Sequence, residues 1–136
     1  MTSKLFPGTW KLISQTTQHA DGSTSYPRGE EASGILMYDA QGHMSVQLMR
    51  AGHSWGDLAN FRTAMEQYLA YFGNYRVDEA AGTVTHIIEG CSFPGWIGTE
   101  QVRQFRFEGD LLRLTAQGTG FDGLPETRVI VWRRVG

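Results

Sequence analysis

The chain is poor in cysteine and in charge. Its 136 residues hold one cysteine, Cys91, so no internal disulfide can form. Charged residues make up 19%, below the roughly 25% of an average globular protein. The net charge of −2 lacks the basic excess that a general nucleic-acid binder needs. No apolar run reaches the ~18 residues of a membrane span. The opening Met1-Thr2-Ser3-Lys4-Leu5-Phe6-Pro7-Gly8 lacks the apolar core of a signal peptide. These absences point to the cytoplasm, with neither a nucleic-acid nor a membrane partner. No repeat, low-complexity tract or linker divides residues 1–136, so one domain is expected.

What is abundant is glycine, with 17 residues, and aromatic side chains at 12%. Short runs rich in strand formers recur between turn signals. They cover Gly8 to His19, Gly34 to Asp39, His43 to Met49, Phe72 to Asp78 and Thr83 to Glu89. Three more cover Glu100 to Phe107, Leu111 to Ala116 and Thr127 to Val135. In the middle the period changes: Leu58, Phe61, Met65, Tyr68, Leu69 and Phe72 fall at helical spacing. The pattern predicts an all-β fold, with eight antiparallel strands in a sandwich or an up-and-down barrel and one helix over about 57–70 inserted after the third strand. No βαβ alternation calls for a parallel sheet.

Alternation along the strands is blurred. Val84, His86 and Ile88 share one face of the fifth strand, and Gln101, Arg103, Phe105 and Phe107 one face of the sixth. Polar groups among large apolar ones fit either a ligand cavity or strand ends near solvent. His86 stands mid-strand and needs hydrogen-bond partners if buried. Tyr38, Tyr75, Ser45 and Gln47 are candidates, and Arg103 on a neighbouring strand has the same need. These groups either satisfy one another or orient a ligand. A histidine's ordinary pKa near neutrality also makes His86 the candidate acid or base.

Several motifs fail. Gly118-Thr119-Gly120-Phe121-Asp122-Gly123 has the letters of a dinucleotide loop, but Leu124-Pro125 and a strand follow it instead of a helix. No cofactor is therefore expected. His19, His43, His53 and His86 show no metal-ligand spacing, so no metal is expected.

Gly8-Thr9-Trp10 resembles the G-x-W motif of lipocalins, and Trp132-Arg133-Arg134 resembles their last strand. That resemblance implies that Arg134 packs across Trp10 and closes the barrel base through a cation–π contact. Further blocks are Tyr26-Pro27-Arg28-Gly29, Gly34 to Tyr38, Gly42 to Gln47 and Tyr68 to Tyr75. They continue with Gly82 to His86, Phe93 to Thr99, and Arg103. Over about residues 6–135 the chain resembles the bacterial and fungal lipocalin-like domain proteins. Two positions depart from that group: Ile87 stands where a second histidine often follows the first, and Pro94-Gly95-Trp96 replaces Pro-Asn-Trp. A mechanism built on a histidine pair loses its second residue here. The resemblance implies a calycin-type barrel, a fold that hosts carriers as well as enzymes.

Three functions follow as expectations. The first is an intracellular carrier or sensor of a small, largely apolar molecule. Its walls would include Leu36, Met37, Met44, Leu48, Phe61, Tyr71, Trp96 and Phe105. Tyr38, Ser45, Gln47, Tyr75, His86 and Arg103 would supply the polar contacts to a carbonyl, carboxylate or phenol. The second is a cofactor-independent isomerase, cyclase or dehydratase, with His86 as acid or base, Tyr75 or Tyr38 as proton donor and Arg103 on a developing anion. The third is a filled barrel that serves as an interaction module. A homodimer is compatible with each.

Overall fold

The structure, a computed structural model, describes residues 2–54, 66–120 and 123–136. Among the described residues there are nine antiparallel strands: β1 Gly8–His19, β2 Thr24–Ser25, β3 Ser33–Tyr38, β4 His43–Met49 and β5 Tyr68–Asp78, then β6 Thr83–Cys91, β7 Glu100–Glu108, β8 Leu111–Thr119 and β9 Pro125–Arg134. Eight of them run up and down in chain order, and β1 pairs with β9 from Trp10↔Arg134 to His19↔Glu126. That pairing closes the sheet and leaves no long free edge. The two-residue β2 adds to the far half of β1, at Thr17 and Gln18. It is too short to carry a strand pattern in sequence.

Side chains alternate through the wall. Met44, Val46 and Leu48 of β4 point inward and are buried, as are Val84, His86 and Ile88 of β6. Gly73 marks the bulge where the β5–β6 register shifts. A Cβ at Gly73 would stand 1.9 Å from the Ile87 carbonyl oxygen, so only glycine lets the two backbones meet there.

The expected helix over 57–70 is corrected at its C-terminal end. Residues 66 and 67 are helical, but Tyr68, Leu69 and Ala70 already belong to β5, paired with Met49, Leu48 and Gln47. Ladder hydrogen bonds to β4, with Leu69 and Tyr71 turned inward, override the helical spacing of the side chains. Residues 57–65 of that expectation lie outside the described residues. Among the described residues the other helical elements are the 3-10 turns Thr2–Leu5 and Pro94–Trp96.

One end of the barrel is packed shut. The Phe6 ring, fully buried, meets Tyr38, Phe105 and Phe107 edge-on at 5.0–5.3 Å between centroids. Trp10 donates its indole N–H to the Phe6 carbonyl at 3.1 Å. The Arg134 guanidinium lies 4.3 Å over the Trp10 ring and donates to the carbonyls of Pro7 (3.0 Å) and Leu5. The chain before β1 is thereby tied across the barrel base, and the unfilled space lies toward the other end.

Candidate functional site

A cavity of about 410 Å³ occupies the half of the barrel away from Phe6. A filled barrel is therefore not what forms; the space suits one small ligand. Its apolar walls are Leu36, Val46, Leu48, Leu69, Leu114, Ile130 and Trp132, from five different strands. Polar groups enter at two levels. Tyr71, His86 and Arg103 line it beside the Trp96 ring. Gln15, Thr17, His19, Ser25, Arg28, Glu126 and Arg128 line it where β1 and β9 reach their far ends.

His86 is 2% exposed and held from both sides. The Tyr38 hydroxyl is 2.6 Å from Nε2, and the Tyr71 hydroxyl is 2.8 Å from Nδ1. Burial, and secondarily the positive charge of Arg103, push the imidazole pKa from 6.5 down to about 3. Burial raises the Tyr71 phenol to about 12, against the pull of Arg103, and raises Tyr38 well above its ordinary value. The cluster is thus neutral at physiological pH. This corrects the expectation of a histidine that titrates near neutrality: a strand pattern shows that His86 faces inward but not how completely water is excluded.

Arg103 sits on the inward face of β7, opposite Val84 of β6, and donates from Nη1 to the carbonyl of Val102 at 3.1 Å. At the mouth, Arg28 donates from Nη1 to Gln15 Oε1 at 3.2 Å, and Arg128 Nε donates to Glu126 Oε2 at 3.0 Å. Burial lowers the Arg28 pKa, opposed by the charge of Glu66. The buried indole N–H of Trp132 has no acceptor among the described residues.

The structure sorts the expected site residues. Tyr38, Tyr71, Trp96, His86 and Arg103 come together in or directly behind the cavity. Tyr75 does not join His86, although the two are register partners. Its hydroxyl runs past the imidazole and donates to the Asp39 carbonyl at 2.6 Å, while its ring tilts against Tyr38 at 4.6 Å. Burial, then the Asp39 carboxylate, raise its pKa. Ser45 and Gln47 are corrected as His86 partners. They leave β4 on the face opposite Met44, Val46 and Leu48, and Gln47 accepts from the Tyr68 hydroxyl on the outer surface. Met37, 46% exposed, is likewise outside, and Met44 and Phe105 pack in the core below the cavity. Phe61 lies outside the described residues. Sequence reasoning missed Gln15, Thr17, Trp132 and the mouth arginines Arg28 and Arg128. Gln15, Thr17, Arg128 and Trp132 are placed by the closing β1–β9 pair, and Arg28 by the segment between β2 and β3.

Among the described residues no three His, Cys, Asp or Glu side chains cluster as a metal site would need, and no helix is long and apolar enough to cross a membrane.

An up-and-down barrel with a tryptophan–arginine base and a chamber at the other end defines a lipocalin-type architecture. The chain belongs to the lipocalin-like domain family, whose profile matches residues 7–135. It is 34% identical over 107 residues to a protein of Aspergillus oryzae (strain ATCC 42149 / RIB 40) named 4'-hydroxy-3'-methoxypropiophenone carrier protein ppsC. The matched stretch covers 68% of this chain and 96% of that relative. No solved structure matches the chain.

Proposed function

We propose that this protein binds and carries a small, largely apolar molecule that bears a carbonyl or carboxylate, held in the barrel cavity. The observation that carries this reading is the 410 Å³ chamber itself, apolar over most of its wall and polar at Tyr71, His86 and Arg103. A few placed polar groups in an apolar pocket orient a ligand without dominating its affinity. The relative's printed name, a carrier of an aryl ketone, supports the same class. The alternative of a cofactor-independent isomerase, cyclase or dehydratase with His86 as acid or base has less support. Both imidazole nitrogens are engaged by tyrosines, and a pKa of about 3 leaves the ring far from proton exchange at neutral pH.

Fluorescence titration tests the proposal, because Trp96 and Trp132 line the cavity. 4'-Hydroxy-3'-methoxypropiophenone should quench the emission saturably with one site per chain. Its carboxylate counterpart, 4-hydroxy-3-methoxybenzoate, should bind Arg103→Gln about tenfold or more weakly than wild type, the usual effect of losing a hydrogen bond to a charged group. Absence of saturable binding by both compounds would overturn the reading.

A further inference from the structure

We propose that Tyr38, acting through His86, fixes the Tyr71 hydroxyl as a hydrogen-bond donor into the cavity, so that the site selects ligands presenting an acceptor there. This rests on the reading of the cavity as a ligand site.

A neutral imidazole has one N–H and one bare nitrogen. Its two nitrogens face two hydroxyls, Tyr38 at Nε2 and Tyr71 at Nδ1. Two arrangements are possible. In the first, Tyr38 donates to a bare Nε2, and Nδ1–H donates to the Tyr71 oxygen. In the second, both bonds reverse.

The surroundings of the two tyrosines decide between them. Tyr38 is 3% exposed and does not line the cavity. Its hydroxyl sits behind His86, and its ring is enclosed by Phe6 and Tyr75. Among the described residues its one hydrogen-bond partner is Nε2. If Nε2 carried the proton, the Tyr38 hydroxyl proton would be buried without an acceptor. That penalty disfavours the second arrangement by a factor of about ten or more. Tyr71 differs, because it lines the cavity. In the first arrangement its oxygen accepts from Nδ1–H, and its own proton is free to turn into the chamber. Tyr38 and His86 are thus positioning residues, and Tyr71 makes the contact.

The neighbouring polar group at this depth has the same sign: Arg103 lines the cavity and presents guanidinium N–H groups. Groups that can accept, Thr17, Ser25 and Glu126, line it at the mouth. A ligand oxygen that accepts, such as a ketone carbonyl or a carboxylate, therefore meets donors at Tyr71 and Arg103.

Two measurements test this, the first without any ligand. In protein labelled with ¹⁵N-histidine, the imidazole nitrogens report which one is protonated, and His86→Gln assigns the signals. The proton should be on Nδ1, with Nε2 bare; a proton on Nε2 overturns the proposal. The second compares 4'-hydroxy-3'-methoxypropiophenone with its analogue in which the carbonyl is a methylene. Wild type should prefer the ketone, and Tyr71→Phe should reduce that preference about 5- to 10-fold. Tyr38→Phe, which removes the donor to Nε2, should bring a population of the Nε2–H form and weaken the ketone while leaving the methylene compound unchanged. A preference that survives Tyr71→Phe, or equal losses for both compounds, overturns the proposal. If neither compound binds wild type, the aryl-ketone reading falls, while the tautomer measured without ligand decides the donor assignment separately.

Discussion

Trp10→Ala should lower the unfolding free energy by about 3–5 kcal/mol, the range for truncating a buried tryptophan. Three interactions meet at this side chain. Its ring is 1% exposed and lies beside Phe107 at 6.1 Å between centroids. Its indole N–H is the donor to the Phe6 carbonyl, and Arg134 stacks on its outer face. Truncation leaves a void at the barrel base, strands the Phe6 carbonyl and removes the surface that holds the guanidinium in place. Trp10→Phe separates these effects. It keeps a ring for Arg134 and loses the N–H bond and some volume, so it should be milder, at about 1–2 kcal/mol. Urea unfolding followed by far-UV circular dichroism checks both, with the midpoint falling and the slope unchanged. Because Trp10 does not line the cavity, binding at the other end should survive in folded Trp10→Phe. A Trp10→Ala protein within 1 kcal/mol of wild type would mean that the base is held by the chain termini without the tryptophan.

Much of this arrangement was legible in the residues. Strand spacing gave eight antiparallel strands in a sandwich or a barrel; the lipocalin resemblance chose the barrel, and its G-x-W and terminal arginine pointed to the pair that meets at the base. Alternation grouped Val84, His86 and Ile88 on one face of β6, and Arg103 with Phe105 and Phe107 on one face of β7, but it did not show which faces point inward, because polar and apolar groups are mixed on both. The His86 partners were harder. Ser45 and Gln47 are polar and near in sequence order, yet parity puts them outside; Tyr75 faces His86 in register, yet its hydroxyl overshoots to Asp39. The partners found are Tyr38, on a strand that does not pair with β6, and Tyr71, whose register partner is Cys91. Which long side chain ends where depends on the barrel's curvature and stagger, which no single strand records. The helix boundary was missed for a related reason: Tyr68 and Leu69 fit both periods, and the partner strand decided. Burial was illegible too, and with it the low pKa of His86.

That low pKa has a consequence for stability. Wild type should be more stable than His86→Gln by about 1–3 kcal/mol at pH 7, where the imidazole is neutral and bonds both tyrosines. The advantage should shrink as the pH falls. In the unfolded chain the histidine protonates near its ordinary value of 6.5, whereas the folded protein resists until about 3. Between those limits the unfolded state binds the extra proton, so acid favours unfolding. The stability owed to the neutral ring is fully present above the unfolded pKa and is lost through this window, at about 1.4 kcal/mol per pH unit once below 6. The difference from His86→Gln should therefore vanish near pH 5 and reverse by pH 4. Exposed carboxylates whose pKa values are lowered in the fold, Asp21, Asp39 and Glu79, also lose favourable interactions in acid. They do so in both proteins and cancel in the difference. Arg103→Gln removes the second cause of the low pKa, so its folded-state limit should move upward and the total acid loss should be smaller. Urea unfolding of the three proteins at pH 7, 6, 5 and 4 measures these differences. A wild-type advantage that stays constant from pH 7 to 4 would mean that His86 protonates in the folded barrel as readily as in the open chain, and that the tyrosine clamp does not keep it neutral.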